Sequence, residues 1–201
     1  MAHSKGGKVS VIYGSFPRAI WNGGRTLTFT CNSFSKERVN QIVQFLNDKG
    51  LEVRMTFTNS LLEEKHLTDE YCNMILEAMD NGFGNSIITA STLLDEYLKK
   101  EHPNLGLISS ITKGGDFETF KKAYESNLYK MVVIYPKNNI LNYLKNNTSL
   151  TEREERIEVL IASGCGYCPM TTHHYKIESL NNLHQKIVQE YECFRNTEAY
   201  K

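Results

Sequence analysis

Two cysteines in the last quarter of the sequence have the spacing of metal ligands. Cys165 and Cys168 form a C-x-x-C pair in the segment GCGYCP, and Pro169 follows the second cysteine. Two thiols at this spacing can share one metal ion or form a disulfide. A thioredoxin-like redox pair opens a helix within a βαβ unit, and this pair does not have that context. The pattern favours a metal site over a redox pair or two structural cysteines.

A C-x-x-C pair supplies only two of the four ligands that a tetrahedral site needs. Cys193 is the natural third ligand, on a helix that the sequence predicts over Asn181–Phe194. The fourth ligand is Cys31, His173 or His174. Such a set suits zinc when a histidine completes it. It suits an iron–sulfur cluster when three cysteines act with a remote fourth ligand, and the spacing does not choose between the two metals.

Composition limits the compartment and the partners. The five cysteines are an odd number, and the N-terminal segment lacks the apolar block of a secretory signal. Both features argue against a disulfide framework and predict a cytoplasmic protein. The 23 Lys and Arg residues balance the 23 Asp and Glu residues, so no net charge draws the chain to nucleic acid or to a membrane. No apolar run approaches the ~18 residues of a membrane span.

Short β-branched runs alternate along the chain with stretches of helical periodicity, which predicts about six β/α units and a parallel sheet with crossover helices. We interpret residues 1–201 as one α/β domain. The predicted strands are Leu27–Cys31, Glu52–Thr58, Ser86–Thr89, Leu105–Ile111, Lys130–Tyr135 and Arg156–Ala162. The predicted helices between them are Ser35–Asp48, Thr68–Met79, Thr92–Lys100, Asp116–Tyr124 and Asn139–Lys145.

Six units in 201 residues are too few for a closed eight-fold barrel. The predicted fold is therefore a partial (β/α) barrel of about six parallel strands, and a doubly wound open parallel sheet is the alternative. The chain could also be the N-terminal part of a larger barrel, which a homo-oligomer or a partner chain would complete. An exposed last strand would then promote self-association.

Small polar residues gather near the carboxyl ends of the predicted strands, where parallel α/β proteins bind ligands. Asn32, Asn59 and Ser109 lie at such ends, and Arg25 and Arg54 could hold an anionic group on the wall of the same pocket. The alternative role of Ser and Asn at these positions is to cap the following helices. We predict that these five residues bind substrate.

The order of the β/α units over Leu27–Cys193, the motif GCGYCP, the HHY sequence after it and the further Cys193 together resemble a known family. They resemble the iron–sulfur (β/α)-barrel proteins of the U32 collagenase-like peptidase group. In that group four cysteines hold a [4Fe-4S] cluster, and several members take part in oxygen-independent hydroxylation of RNA bases or of a quinone precursor. The resemblance implies a cluster bound by Cys165, Cys168 and Cys193. We expect Cys31, at the end of the first predicted strand, to be the fourth ligand. We do not extend protease activity to this chain.

Two functional hypotheses follow. The first is a metal-dependent enzyme with a [4Fe-4S] cluster that acts on a small molecule or a nucleobase of RNA, by oxygen-independent hydroxylation. The second is a zinc-stabilised protein that binds a ligand or a partner without catalysis. A brown, iron-containing protein would favour the first hypothesis. One zinc ion per chain, with loss of folding on replacement of Cys165, would favour the second.

Overall fold

The computed structural model of the chain describes residues 9–24, 29–113, 116–160 and 171–190. No helix among these residues is both long and apolar enough to cross a lipid bilayer. The described strands are β1 (Val11–Gly14), β2 (Glu52–Phe57), β3 (Ser86–Thr89), β4 (Gly106–Ser109), β5 (Met131–Ile134) and β6 (Ile157–Val159). The described α-helices are α1 (Lys36–Asp48), α2 (Glu70–Met79), α3 (Thr92–Glu101), α4 (Phe117–Glu125), α5 (Asn138–Asn147), α6 (Leu150–Arg156) and α7 (Thr171–His184).

All six described strands are parallel and pair in the order β1-β2-β3-β4-β5-β6. Every crossover therefore advances the sheet in the same direction, and the crossover helices cover its convex face. A doubly wound sheet needs a switch point where the strand order reverses, and this order has none. The sheet curls into a half-barrel, so the predicted partial barrel is confirmed and the open-sheet alternative is wrong.

The hydrophobic core lies between the convex face of the sheet and the helices. Val53, Met55 and Phe57 alternate along β2 toward that core, because successive side chains of a strand point to opposite faces. Trp21, which is fully buried, packs edge-on against Phe57 and donates from its indole nitrogen to the carbonyl oxygen of His66 at 2.8 Å. Burial of each large apolar side chain of this kind contributes roughly 1.5–3 kcal/mol.

Side-chain caps fix where several helices begin. Ser35 accepts a hydrogen bond from the backbone nitrogen of Arg38 at the start of α1, as the sequence predicts. The predicted helix over Thr68–Met79 begins two residues later, at Glu70, because Asp69 is the cap and accepts from the nitrogen of Cys72 at 2.8 Å. The carboxylate of Asp69 thus determines the residue at which α2 begins.

The first strand lies elsewhere than predicted. The predicted strand Leu27–Cys31 is wrong over residues 29–31, which form a turn and a bend, and residues 25–28 lie outside the described part. Val11–Gly14 instead occupies the edge beside β2, with Val11 opposite Glu52. Only one segment can fill that edge, and pairing to β2 rather than local β-propensity selects it.

The last described helix also differs from the prediction. The predicted helix Asn181–Phe194 is wrong over residues 185–190, because α7 ends at His184 and Gln185 adopts a φ of 53°, and residues 191–194 lie outside the described part. The side-chain oxygen of Asn181 accepts from the backbone nitrogens of Val188, at 2.8 Å, and of Gln189, at 3.1 Å. These bonds turn the chain back on the helix end and replace further helical turns.

Candidate functional site

The concave face of the half-barrel carries charged side chains from β2. Glu52, Arg54 and Thr56 alternate toward this face, opposite to the apolar residues that face the helices. The Arg54 side chain is 7% exposed and donates from Nε and Nη2 to the Glu52 carboxylate, each at 3.1 Å. Its Nη1 donates to Glu158 of β6 at 2.8 Å. The largely buried guanidinium of Arg54 therefore joins carboxylates from two strands, β2 and β6.

Glu52 lies at the amino-terminal end of this charged face. It accepts from Ser86 Oγ at 2.5 Å and from Lys130 Nζ at 3.1 Å, besides the guanidinium of Arg54. Burial acts to raise the pKa of Glu52, but the hydrogen bonds from Arg54, Ser86 and Lys130 outweigh burial and lower it below its ordinary value of 4.5. The two cations and the two carboxylates of the concave face balance in charge.

The two outermost described strands meet across the concave face. Tyr13 on β1 donates its phenol hydrogen to the carboxylate of Glu158 on β6, and Arg54 Nη1 donates to the Tyr13 oxygen at 2.9 Å. Burial, and then the hydrogen bond to Glu158, raise the pKa of Tyr13 to about 12, so the phenol stays protonated at neutral pH. We call these three residues the Tyr13–Arg54–Glu158 cluster.

A cavity of about 300 Å³ opens beside this cluster at the carboxyl ends of the strands. We call it the mouth cavity, and its position is the usual ligand site of parallel β/α folds. Hydroxyl groups, one carboxylate, apolar side chains and two glycines form its walls. The lining residues are Tyr13, Gly23, Gly24, Thr56, Thr58, Ile88, Ser110, Ile111, Thr112, Val133, Glu158, Leu160 and Tyr175.

The double glycine of the sequence WNGG forms one wall of the mouth cavity. A Cβ atom on Gly23 would lie 2.4 Å from the carbonyl oxygen of Thr58, so only glycine permits this approach to the end of β2. Gly24 has a φ of 65°, and a Cβ there would lie 2.9 Å from the ring of Tyr175 on α7. The turn and α7 therefore come together at the rim of the cavity.

Three residues that the sequence predicts to bind substrate lie away from the cavity lining. Asn59 is fully buried, and its amide nitrogen donates to three backbone carbonyl oxygens, of Ile20, Asn22 and Ser179. Ser109 is buried on the convex side and lines a cavity of about 20 Å³, the size of one water molecule. Asn32 is exposed in the segment before α1. Contact of these residues with a substrate stays a prediction.

Of the two arginines predicted to bind an anion, the structure describes only Arg54. Arg54 lies on the concave face directly beneath the mouth cavity, with its donors engaged by Glu52, Glu158 and Tyr13. Arg25 lies outside the described residues. An anion-binding role for either arginine stays a prediction.

Most of the predicted metal ligands also fall outside the described part. Cys165, Cys168 and Cys193 are not among the described residues, whereas Cys31 is described and exposed. Within residues 9–24, 29–113, 116–160 and 171–190, no group of three or more His, Cys, Asp or Glu side chains is placed to hold a metal ion. His173 and His174 lie on the first turn of α7, with ring centroids 6.2 Å apart. The metal site therefore stays a prediction.

Tyr13 and Glu158 belong to the site, although neither is among the site residues predicted from the sequence. Glu158 is a single charged residue in the apolar run IEVLI, and Tyr13 ends the apolar run VIY. A lone polar residue in such a run indicates a side chain on the interior face of a barrel strand. The same signal is stronger in β2, where Glu52 and Arg54 alternate with apolar residues.

A second polar cluster is buried between the sheet and α3. Asp95 is fully buried and accepts hydrogen bonds from Thr89, from Lys113 and, at 2.5 Å, from the phenol of Tyr129. Burial, and then the hydrogen bond to Asp95, raise the pKa of Tyr129. Lys113 belongs to the segment after β4, which also supplies Ser110 and Thr112 to the mouth cavity. We call Thr89, Asp95, Lys113 and Tyr129 the Asp95 cluster. Through Lys113 it holds in place the segment that forms one wall of the cavity.

Comparisons with known proteins agree with the fold. No protein-family model and no curated protein matches the sequence. Among solved structures, the chain is similar to that of "the U32 Peptidase Mk0906", with a TM-score of 0.59 and 15% sequence identity. The match covers 100% of this chain and 86% of that chain. At this identity the likeness shows a shared α/β barrel-like fold. Membership of the U32 group, and the cluster that it implies, stay predictions.

Proposed function

We propose that this protein is an enzyme that binds a small molecule in the mouth cavity, where Glu158 accepts a proton from it and Tyr13 orients the Glu158 carboxylate. The observation that supports the proposal is the Tyr13–Arg54–Glu158 cluster at the wall of an open cavity, at the carboxyl ends of parallel strands. Charged groups are unfavourable on a half-buried face unless they have a task or a partner. Glu158 has Arg54 as its partner, and its carboxylate also lines the mouth cavity, where it can act on a bound molecule.

The two cavity-facing members have complementary roles. Glu158 presents a carboxylate that can accept a proton or a hydrogen bond from a bound molecule. Tyr13, whose pKa is about 12, keeps its proton and orients the carboxylate by donating to it. Arg54 holds both groups from the concave face beneath the cavity and places a positive charge against the carboxylate. The cluster therefore keeps one acceptor in a fixed direction.

We further propose that the cysteines hold a metal centre next to this cavity. The sequence places Cys165 and Cys168 between Leu160 and Tyr175, and both of these flanking residues line the mouth cavity. Thiolates suit an iron–sulfur cluster or zinc, and the U32 resemblance favours [4Fe-4S] bound by Cys165, Cys168 and Cys193. We propose Cys31 as the fourth ligand. Such a cluster supplies one-electron transfer when bound.

The reaction class to test is the one that the resemblance implies, oxygen-independent hydroxylation of a small molecule or an RNA base.

A centre built on reduced thiols also requires a reducing compartment, which supports the predicted cytoplasmic location. Completion of the half-barrel by a second copy or a partner chain is part of the proposal. Size-exclusion chromatography with light scattering tests completion by a second copy, and a monomer at micromolar concentration would contradict that arrangement.

The metal proposal is tested by elemental analysis of protein purified without oxygen. We expect iron and sulfide in the wild-type protein, and loss of most of the iron in each of the Cys165→Ala, Cys168→Ala and Cys193→Ala variants. Cys72→Ala is the matched control: Cys72 is buried in α2, and burial raises the pKa of its thiol, which opposes the thiolate form that a metal needs.

The outcomes separate the alternatives. One zinc per chain that is lost in the same three variants supports the zinc-stabilised binding protein and contradicts the iron–sulfur enzyme. Absence of both metals from freshly prepared wild-type protein contradicts both metal hypotheses. The substrate-site part of the proposal is tested separately by the ligand experiment below, which needs no metal.

A further inference from the structure

We propose that the mouth cavity selects ligands that donate hydrogen bonds through a cationic or neutral amidine-like group, and that it rejects carboxylates and phosphates. The inference rests on the proposed function, in which this cavity is the substrate site. It follows from the engaged hydroxyl hydrogens of the wall that β1 and β2 form, and from the absence of an available cation in the described lining.

On the cavity wall formed by β1, β2 and the residues just after β2, every hydroxyl hydrogen is already donated to an acceptor of the protein. Thr56 Oγ1 donates to the carbonyl oxygen of Gly14 at 3.1 Å, and Thr58 Oγ1 donates to that of Gly23 at 2.5 Å. The phenol of Tyr13 donates to Glu158. Each hydroxyl has one hydrogen, so these three oxygens can offer only lone pairs to a ligand. This wall is therefore an acceptor surface.

Glu158 adds a stronger acceptor to the same wall. Its Oε2 atom accepts from both Tyr13 and Arg54, whereas no described residue donates a hydrogen bond to its Oε1 atom. The side chain is 30% exposed, and the residue lines the mouth cavity. A bound molecule with an N–H group can therefore donate to Oε1 without displacing a hydrogen bond from any described residue.

No cation among the described lining residues offsets this acceptor surface. The described lining contains no lysine and no arginine. Arg54, which lies beneath it, directs Nε and Nη2 to Glu52 and Nη1 to Tyr13 and Glu158. A carboxylate or a phosphate would thus meet an acceptor wall and the charge of Glu158, and both interactions are unfavourable.

The remaining walls define the rest of the ligand. Ile88, Val133 and Leu160 are apolar, and the rings of Tyr13 and Tyr175 flank the opening. A volume of about 300 Å³ is at the small end for ligand sites, so the body of the ligand is compact. A flat apolar ring that carries an amidine, amine or amide fits these walls.

Two probes of equal size test the selectivity: benzamidine, a planar cation with N–H donors, and benzoate, a planar anion without them. Isothermal titration calorimetry at pH 7 measures the affinity of each probe. Methyl NMR of Ile88, Val133 and Leu160 shows whether the probe lies in the mouth cavity. We expect benzamidine to bind at least about tenfold more tightly than benzoate, which is the order expected of one charge-assisted hydrogen bond.

Glu158→Gln should remove most of that preference, because an amide replaces the carboxylate that accepts from the probe. Glu154→Gln is the matched control, since Glu154 is exposed on α6, and this variant should keep the wild-type ratio. If Glu158→Gln does not fold, the comparison of the two probes and their methyl shifts in the wild-type protein still decides the matter.

Each result has a distinct meaning. Equal affinity, or tighter binding of benzoate or inorganic phosphate with shifts at the methyl groups of these three residues, overturns the selectivity and leaves the cavity as a ligand site. Absence of methyl shifts with every probe at millimolar concentration contradicts the proposed substrate site as well. A preference for benzamidine that persists in Glu158→Gln contradicts the role of Glu158.

Discussion

Arg54 is the residue on which the charged concave face depends. Its guanidinium contacts Glu52 and Glu158 on either side, and its side chain is 7% exposed. A fork of fixed N–H donors can hold two carboxylates and a phenol at once, which a lysine cannot do. The geometry of Glu158 in the mouth cavity therefore follows from one residue of β2.

Replacement of Arg54 by methionine should destabilise the fold. Arg54→Met leaves Glu158 without its cation and leaves Glu52 with Lys130 alone, and we expect the free energy of unfolding to fall by about 3 kcal/mol at pH 7. Urea denaturation followed by circular dichroism measures the change. Arg38→Met is the control, because the Arg38 side chain is exposed on α1, and it should behave as the wild type.

The pH dependence gives a second readout of the same cluster. Because the pKa of Glu52 is lowered in the folded protein, its contribution to stability is complete above the ordinary value of 4.5. That contribution is lost as the pH falls through the lowered pKa. The wild-type protein should therefore lose stability toward pH 3 more steeply than Arg54→Met. Parallel acid profiles would contradict the assigned role of Arg54.

Gly23 should tolerate no side chain. A Cβ atom at this position would lie 2.4 Å from a backbone oxygen and 2.6 Å from two backbone atoms of Asn59. We expect Gly23→Ala to cost about 1–3 kcal/mol of stability, as overpacking does, measured by thermal and urea unfolding. Gly14→Ala is the control, because nothing lies within 4 Å of the added atom. Equal stability of the two variants would show that the turn does not pack against the end of β2.

At the scale of elements, five of the six strands could be predicted from their β-branched runs. β1 could not, because Val11–Gly14 and Leu27–Cys31 have similar local propensity and only pairing to β2 distinguishes them. Arg54 could be predicted as a site residue from its place in an apolar strand. The contact between Tyr13 and Glu158 could not, because it joins residues 145 positions apart and depends on how far the sheet curls.

The Asp95 cluster ties α3 to the segment that follows β4. We expect Asp95→Asn to lower the free energy of unfolding by about 3–5 kcal/mol, because it leaves Lys113 without its anion in a buried site. Glu96→Gln, at the exposed neighbouring position of α3, is the control for loss of a carboxylate. A double replacement, Asp95→Leu with Lys113→Met, should recover part of the loss. Denaturant unfolding of the four proteins measures these differences, and an unchanged Asp95→Asn would contradict a structural ion pair.

At the scale of the whole molecule, the half-barrel separates two environments. Its convex face holds the apolar core under the helices, and its concave face holds balanced charges that lead to the mouth cavity. The similar fold of a U32 peptidase has the same general architecture at 15% identity. Function in such folds resides in the residues at the strand ends, so the site has to be tested directly.

The most direct test of the central claim is an anomalous difference map from crystals of protein prepared without oxygen, recorded at the iron and zinc absorption edges. We predict one strong iron peak at the carboxyl ends of the strands, beside the mouth cavity lined by Tyr13, Glu158 and Leu160. A metal peak at the opposite end of the half-barrel, or no peak at either edge from freshly prepared protein, would contradict the claim that a metal centre serves this cavity.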